Sequence, residues 1–256
     1  MAGRLANQVA FISGAGSGFG AGIASKFVAE GARVVVADIN LQAAQAVAEA
    51  LNQQDSNQTQ AWPCEVDVSQ GASVRQAVDA SLAQFGQIDI LVNNAGMGLK
   101  PTALETLDEQ RFDQVLAVNA KSIYLFAQHL VPHLKAQGHG VILNIASTAG
   151  VSPRPNLTWY NASKGWVITA TKSMAVELAP SNIRVNAINP VAGDTPMLTT
   201  FMGEDSQDKR DQFLATIPLG RFSTPQDLGN AACFLCSEEA SLITGVALEV
   251  DGGRCI

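Results

Sequence analysis

Short apolar runs alternate along the chain with longer segments of helical periodicity. The run Arg33–Asp38 is apolar on consecutive residues, which is typical of a strand covered on both faces of a parallel sheet. The predicted strands are Gln8–Ser13, Arg33–Asp38, Ala61–Asp67, Ile88–Asn93, Val141–Ser147, Ile183–Asn189 and Val246–Val250. The predicted helices are Gly18–Glu30, Leu41–Asn52, Gly71–Phe85, Asp108–Ala136, Thr158–Ala179 and Pro225–Glu238. This alternation predicts an α/β doubly wound sheet, whose ligands bind beyond the carboxyl ends of the strands.

Length, composition and charge limit which kinds of protein and partner the sequence can represent. The length of 256 residues fits one domain over residues 1–256, and 47% hydrophobic with 15% charged residues exclude a disordered chain. A net charge of -7 without a Lys/Arg cluster argues against nucleic acid or an anionic membrane as a partner. No apolar run approaches the roughly 18 residues of a membrane span, and the N-terminus lacks the features of a secretory signal. We therefore expect a soluble cytoplasmic enzyme.

The sequence offers no convincing metal site. Cys233 and Cys236 lie in one predicted helix without a second pair or a neighbouring histidine, so packing explains them better than zinc. His129 and His133 are spaced for one helix face, but no third ligand is evident. Unpaired cysteines also fit a reducing cytosol.

A glycine-rich turn joins the first strand to the first helix. Its spacing is Gly14-x-x-x-Gly18-x-Gly20, and glycine lets the backbone turn tightly and approach a pyrophosphate at a helix N-terminus. Because the turn follows a strand, opens a helix and precedes an acid at the next strand end, it predicts dinucleotide binding. No Gly-Lys-Ser/Thr follows, which excludes a Walker A loop. The expected binding residues of this turn are Ser13, Gly14, Ser17, Gly18, Phe19 and Gly20.

Asp38 ends the second predicted strand and favours NAD over NADP. Its carboxylate suits an adenosine ribose diol and would repel a 2′-phosphate, and neither Gly16 nor Ser17 supplies a compensating cation. The alternative is that Asp38 caps the next helix. Further contacts are expected from residues after the second, third and fourth strands, namely Ile39, Asp67, Val68, Asn94, Ala95 and Gly96.

Four polar side chains form a candidate catalytic group. Tyr160 and Lys164 are spaced i, i+4 and therefore lie a turn apart on one helix face. Ser147 ends the fifth predicted strand at the ligand-binding edge, and Asn119 lies in a helix expected to pack nearby. A lone Tyr-x-x-x-Lys is common, so the pair is informative only because these partners accompany it.

With these residues in place, the chain resembles the short-chain dehydrogenase/reductase family, in its single-domain subgroup. The resemblance covers essentially the whole chain and adds Asn93-Asn94-Ala95-Gly96 and Asn189-Pro190 to the motifs above. It implies a Rossmann-like sheet of seven parallel strands with helices on both faces, an alcohol or ketone substrate, a nicotinamide cofactor and often a homotetramer. One departure is Val191, because the family usually has Pro-Gly after the sixth strand.

The resemblance implies a role for each site residue. Tyr160 would be the general base or acid, Ser147 would bind the substrate oxygen, and Lys164 would favour the phenolate and hold the nicotinamide ribose. Asn119 would act through its backbone and a bound water, or else only shape a helix kink. Pro190, Val191 and Thr195 would contact the cofactor, together with Tyr160 and Lys164.

The segment from Val191 to Gly220 is expected to form a substrate loop. Apolar candidates for the pocket wall are Met97, Leu99, Leu157, Met197, Phe201 and Met202. Arg154, between two prolines, either binds a substrate carboxylate or is a solvated or loop-bracing residue, and the latter is the more common case. Two functions stay open: an NAD-dependent alcohol dehydrogenase or carbonyl reductase, and a catalytically idle NAD-binding sensor or scaffold on the same fold.

Overall fold

The computed structural model describes residues 3–53, 61–203 and 206–256. Within these residues, seven parallel strands form one sheet. The strands are β1 Val9–Ser13, β2 Arg33–Asp38, β3 Ala61–Glu65, β4 Ile90–Asn93, β5 Gly140–Ile145, β6 Ile183–Pro190 and β7 Ala247–Val250. Their order in the sheet is β3-β2-β1-β4-β5-β6-β7. The order reverses between β1 and β4, and a crevice for a ligand is expected at that point.

Helices cover the sheet on both faces and connect its strands. They are α1 Gly18–Ala29, α2 Leu41–Asn52, α3 Gly71–Phe85, α4 Glu109–Leu116, α5 Ser122–Gln137, α6 Thr158–Leu178, α7 Leu198–Met202, α8 Gln207–Leu214 and α9 Pro225–Cys236. The apolar sides of α1, α2 and α9 pack on one face of the sheet, and those of α3, α5 and α6 pack on the other. The predicted doubly wound α/β fold is confirmed.

Strand β1 shows why the apolar runs are continuous. Ala10 and Ile12 pack into the core under α1, whereas Phe11 belongs to the core under α5. Successive side chains of a strand point to opposite faces, so a strand buried on both faces needs an apolar residue at every position. The rings of Phe11 and Phe126 lie 5.2 Å apart in this second core.

The segment predicted as helix over Asp108–Ala136 is helical throughout nearly that span, but a π-helical turn that was not predicted divides it. The structure has α4, then a π-helical turn over Ala117–Lys121, and then α5. A π turn inserts one residue into the helix and is frequent at functional sites. Its apolar pattern continues that of the flanking helices, which is why periodicity did not detect it.

Two helices of the predicted substrate loop were also missed. Helix α7 is short, and α8 has no buried residue, so neither leaves an amphipathic pattern. By contrast, α9 begins as predicted: Thr224 accepts a hydrogen bond from Asp227 N, and the Asp227 side chain accepts one from Thr224 N. Pro225 occupies the first turn.

The cysteine pair belongs to the core. Cys233 and Cys236 are buried, free thiols on α9, in the apolar cluster that also contains α1. This confirms the packing interpretation. Among the described residues, no group of three or more His, Cys, Asp or Glu side chains is arranged to hold a metal ion, and no helix is long and apolar enough to span a bilayer.

Candidate active site

A cavity of about 580 Å³ opens at the carboxyl edge of the sheet. It runs from the β1–α1 turn, past the ends of β4 and β5, to the segment after β6. Most of the predicted site residues line it: Gly14, Ser17, Gly18, Phe19, Asp38, Ile39, Asp67, Val68, Asn94, Ala95, Gly96, Ser147, Tyr160, Lys164, Pro190, Val191 and Thr195. The predicted residues Ser13, Gly20 and Asn119 lie outside the lining.

The β1–α1 turn packs so closely on itself and on the loop after β4 that only glycine fits at two of its positions. A Cβ added to Gly14 would lie 2.8 Å from Ala95 Cα, and one added to Gly20 would lie 2.2 Å from the Gly14 oxygen. Ser17 is the N-cap of α1, yet its side chain makes no capping hydrogen bond. The first N–H groups of α1 are therefore free of a side-chain partner and suit an anionic ligand. A dinucleotide pyrophosphate fits this turn.

Ser13 and Asn94 brace the turn from beneath. The Ser13 hydroxyl accepts hydrogen bonds from Asn94 N and Ala95 N, each at 3.1 Å. The Asn94 side chain donates to the carbonyl oxygens of Ser13 and Gly14, both at 2.9 Å. These bonds join the ends of β1 and β4, and they explain why a buried serine outside the cavity belongs to the motif.

The Asp38 carboxylate is fixed at the other end of the crevice. It accepts hydrogen bonds from Gly16 N at 2.9 Å and from Asn40 N at 3.0 Å. The N-cap of α2 is Asn40, whose side chain accepts from Ala43 N, so the alternative that Asp38 caps this helix is wrong. Asp38 thus faces the cavity as a carboxylate already positioned by two backbone donors.

The candidate catalytic side chains meet on the wall formed by β5 and α6. Tyr160 and Lys164 are buried a turn apart on α6, and Lys164 Nζ donates to the Ile145 oxygen at 2.9 Å. Ser147 lies just after β5, where its hydroxyl accepts from Ala149 N at 3.1 Å. The sequence expectation that these three residues share one site is met by their common place in the cavity lining.

Apolar side chains form the end of the cavity near Tyr160. Met97, Leu157, Met197 and Phe201 line it, and the Phe201 ring lies 5.0 Å from the Tyr160 ring. Two predicted wall residues do not: Leu99 packs in a buried cluster, and Met202 lines a second, smaller cavity. Arg111 on α4 lines the cavity although no sequence motif indicated it.

Comparison with known proteins identifies the family. A family model described as Enoyl-(Acyl carrier protein) reductase matches residues 14–254. The 4-formylbenzenesulfonate dehydrogenase of Comamonas testosteroni is 48% identical, over 99% of this chain and 100% of the relative. A solved structure of a putative short-chain dehydrogenase/reductase from Burkholderia xenovorans has a TM-score of 0.92 at 36% identity, covering 99% of this chain and 98% of that one. The chain belongs to the short-chain dehydrogenase/reductase family.

A further short-chain dehydrogenase/reductase relative was solved with a nucleotide. It is the 3-ketoacyl-(acyl-carrier-protein) reductase from Brucella melitensis, complexed with NADH. Its TM-score is 0.92 at 50% identity, covering 98% of this chain and 100% of that one. Since these relatives are named as dehydrogenases and reductases, the comparisons support oxidoreduction by this member of the family.

Val191, where the short-chain dehydrogenase/reductase family usually has glycine, fits the local backbone. Its side chain is buried, its N–H donates to the Val250 oxygen at 3.3 Å, and it lines the cavity. The tight position is instead Gly193, where a Cβ would lie 2.2 Å from the Phe19 ring. The loop after β6 therefore closes against the β1–α1 turn through Gly193.

Burial shifts the pKa of both members of the candidate catalytic pair, Tyr160 and Lys164, in this short-chain dehydrogenase/reductase. It raises the pKa of Tyr160 to about 12, although a hydrogen bond with Ser147 and the positive charge of Arg154 act in the opposite direction. Burial also lowers the pKa of Lys164 to about 8. The protein alone therefore keeps Tyr160 as a neutral phenol, and phenolate needs more positive charge than these side chains supply.

Asn119 joins the loop after β4 to helix α6. Its side chain accepts from Met97 N at 2.7 Å and donates to the Met97 oxygen at 3.0 Å and to the Ser163 hydroxyl at 3.1 Å. Ser163 in turn donates to the backbone carbonyl oxygen of Tyr160 at 2.7 Å. The π turn presents this amide to both partners, which makes Asn119 a positioning residue. Its expected role through a bound water stays a prediction.

Proposed function

We propose that this chain is an NAD(H)-dependent dehydrogenase that interconverts a secondary alcohol and a ketone. The observation that carries the proposal is the single cavity that holds Ser147, Tyr160 and Lys164 at one end and the glycine crevice with Asp38 at the other. The family membership and the relatives named as dehydrogenases and reductases support oxidoreduction. The partner is accordingly a small molecule.

Asp38 supports NAD over NADP. Two backbone donors hold its carboxylate, which suits hydrogen bonds from a ribose diol and repels a 2′-phosphate. A cation that offsets this repulsion is not provided by Gly16 or Ser17. Arg33 is engaged elsewhere, because its guanidinium lies 5.4 Å from the centre of the Phe85 ring.

The residues of the chain handle the proton and the substrate oxygen. When bound, the nicotinamide ring takes up the hydride in oxidation or returns it in reduction, and its oxidised form adds positive charge. Tyr160 removes the hydroxyl proton as phenolate, or donates it as phenol in the reverse direction. Ser147 donates a hydrogen bond to the substrate oxygen and holds the carbinol carbon in place. Lys164 stabilises the phenolate; each unit of pKa lowering corresponds to about 1.4 kcal/mol.

Replacement of Tyr160 tests this function. We expect Tyr160→Phe to lower kcat by roughly 100- to 10,000-fold, because the proton acceptor is lost. NADH affinity should change little, and fluorescence titration measures it. The assay is a panel of secondary alcohols, sugars, hydroxy acids and hydroxysteroids with NAD, followed by absorbance of the reduced ring. Turnover retained in Tyr160→Phe would remove the assignment.

The same panel separates the enzyme from the alternative function. A catalytically idle sensor or scaffold would bind NADH and turn over no member of the panel. Ser147, Tyr160 and Lys164 together favour the enzyme, since an idle relative has no need to keep all three in one cavity.

We further propose that residues 1–256 act as one domain in a cytoplasmic homotetramer, with residues 191–220 as the substrate loop. Large apolar side chains on α5 and α6 support subunit contacts, since Tyr124, Trp166 and Val176 are exposed in the isolated chain. The proximity of Met197 and Phe201 to the cavity supports the loop assignment.

A further inference from the structure

A second cavity of about 210 Å³ adjoins the substrate end of the first. Arg154 and Phe201 line both cavities, so the two are neighbours across these side chains. The described residues around the smaller cavity include the cations Arg154, Lys209 and Arg254 and no Asp or Glu. Three positive groups thus surround one small volume without a counter-charge from that lining.

Arg154 is held rigidly in this position. Pro153 and Pro155 restrict the backbone on either side of it, and the Asn161 side chain donates to the Arg154 oxygen at 2.8 Å. The guanidinium lies 3.9 Å from the centre of the Phe213 ring. Stacking of this kind leaves the edge of the guanidinium fork free to donate.

Within the described parts of the chain, Arg154 has no carboxylate partner. Burial and the nearby charge of Arg254 lower the pKa of Arg154 to about 10, although Tyr160 acts in the opposite direction. The Nε atom of Arg254 is buried without a hydrogen-bond partner. Arg221, by contrast, makes two hydrogen bonds to the Asp227 carboxylate.

The arrangement matches an anionic ligand. A guanidinium fork binds carboxylate and related oxyanions through parallel hydrogen bonds, and an unpaired buried cation gains most from such a partner. The chain as a whole does not attract anions, because it carries a net charge of -7. Negative charge in the main cavity comes from Asp38 and Asp67 at the opposite, dinucleotide end. An anion entering the cavity is therefore drawn toward its cations Arg111, Arg154 and Lys164, and of these only Arg154 also lines the smaller cavity.

We propose that the substrate carries an anionic head group, a carboxylate or sulfonate, that binds Arg154 and Arg254 in the smaller cavity. Its hydroxyl or keto carbon then lies at Tyr160, and an apolar body lies along Phe201, whose ring is 5.0 Å from that of Tyr160. This substrate class rests on the proposed dehydrogenase function. It turns Arg154 from a loop-bracing residue into a specificity-determining one.

Reduction of three matched ketones tests the substrate class. The probes are para-acetylbenzoate, para-acetylbenzenesulfonate and the neutral para-acetylbenzamide, each with NADH. We expect wild-type kcat/KM for at least one anion to exceed that for the amide by about 10-fold or more. Arg154→Gln should lower the anion-to-amide ratio by roughly 10- to 100-fold, because a charge-assisted pair is lost. Whichever anion loses more identifies the head group.

Three further variants make the result specific. Arg154→Lys keeps the charge without the fork and should retain part of the ratio, whereas Arg254→Gln should lower it. Arg75→Gln is the matched control, since Arg75 is exposed on α3 and lines neither cavity. If the wild-type enzyme reduces the amide with the same kcat/KM as both anions, the proposal is overturned. An Arg154→Gln variant that loses the same factor on all three ketones also overturns it.

A binding measurement separates this inference from the function on which it rests. Calorimetric titration of para-acetylbenzoate and para-acetylbenzamide into the protein with NADH needs no turnover. If the anion binds more tightly than the amide and Arg154→Gln abolishes this difference, the anionic site is supported even if no ketone is reduced. Equal binding of the two ligands contradicts it. Failure of the dehydrogenase function shows itself separately, as lack of turnover across the alcohol panel despite NADH binding.

Discussion

At the scale of single residues, the proposed preference for NAD over NADP depends on the negative charge of Asp38. Its carboxylate is positioned before any ligand binds, so a ribose diol finds acceptors in place and a 2′-phosphate meets a fixed negative charge. The rest of the crevice is built from glycine and small polar residues and adds no cation. We therefore propose that this one side chain discriminates between NAD and NADP.

We expect Asp38→Ala to weaken NADH binding by roughly 10-fold or more and to strengthen NADPH binding, since both the acceptor and the repulsion are removed. Fluorescence titration with each dinucleotide measures the change. Asp79→Ala is a control, because Asp79 is exposed on α3. Tighter binding of NADPH than of NADH by the unmodified protein would contradict the cofactor proposal.

Residue chemistry was largely predictable at the cavity, because the end of each parallel strand falls at the same edge of the sheet. Polar residues after β1, β2, β4 and β5 could therefore be assigned to one site from their order alone. The order of the residues along the chain could not indicate where each side chain points. Ser13 points beneath the turn and braces it, and Arg111 reaches the cavity from a helix without a motif.

At the scale of elements, the π turn between α4 and α5 links fold to site. It sets Asn119 against the loop after β4 and against Ser163 on α6. A regular helix would carry the amide away from one of these partners, because its side chains advance at a different angle. The turn therefore couples two elements that both line the cavity.

Asn119→Ala should lower the free energy of unfolding by about 1–3 kcal/mol, because the partly buried backbone N–H and carbonyl groups of Met97 lose their partner. It should also lower kcat, since the loop after β4 and Tyr160 lose their connection. Urea unfolding and steady-state kinetics measure the two effects. Ser81→Ala is the control: this buried hydroxyl donates only within its own helix, to the Ala77 oxygen. Stability equal to wild type in Asn119→Ala would refute the positioning role.

Elements with a buried stripe were predictable, and elements without one were not. The continuous apolar run of β2 and the capped start of α9 fixed those two elements at nearly their observed bounds. Helix α8 buries none of its residues, so hydrophobic periodicity carries no information about it. The π turn was not predicted either, because the apolar pattern continues from α4 into α5 without a visible break.

At the scale of the whole molecule, charge is unevenly distributed along the cavity. Carboxylates lie at the proposed dinucleotide end, and guanidinium groups lie at the proposed substrate end. The chain as a whole is acidic, with a net charge of -7. Binding of an anionic substrate is therefore expected to depend on the local cations rather than on the overall field, and to weaken less with salt than surface attraction does.

Assembly is a second property of the whole molecule. Exposed apolar side chains on α5 and α6 support subunit contacts, and the proposed assembly is a homotetramer. Light scattering at micromolar concentration should give four times the chain mass of 26.8 kDa. Trp166→Glu should shift the mass downward, because a charge would be buried in the contact, while Leu242→Glu, at a residue exposed near β7, serves as control. A monomer in the unmodified protein would refute the assembly.

The central claim is that bound oxidised cofactor makes Tyr160 a usable base, and titration of tyrosinate absorbance tests it directly. The chain has two tyrosines, and only Tyr160 is buried, so Tyr124→Phe isolates its signal. Without ligand, burial raises the pKa of Tyr160 to about 12, so phenolate should appear only at strongly alkaline pH. With NAD, we predict that the transition moves to lower pH, and that Tyr160→Phe lacks it. A transition that NAD leaves in place would contradict the account.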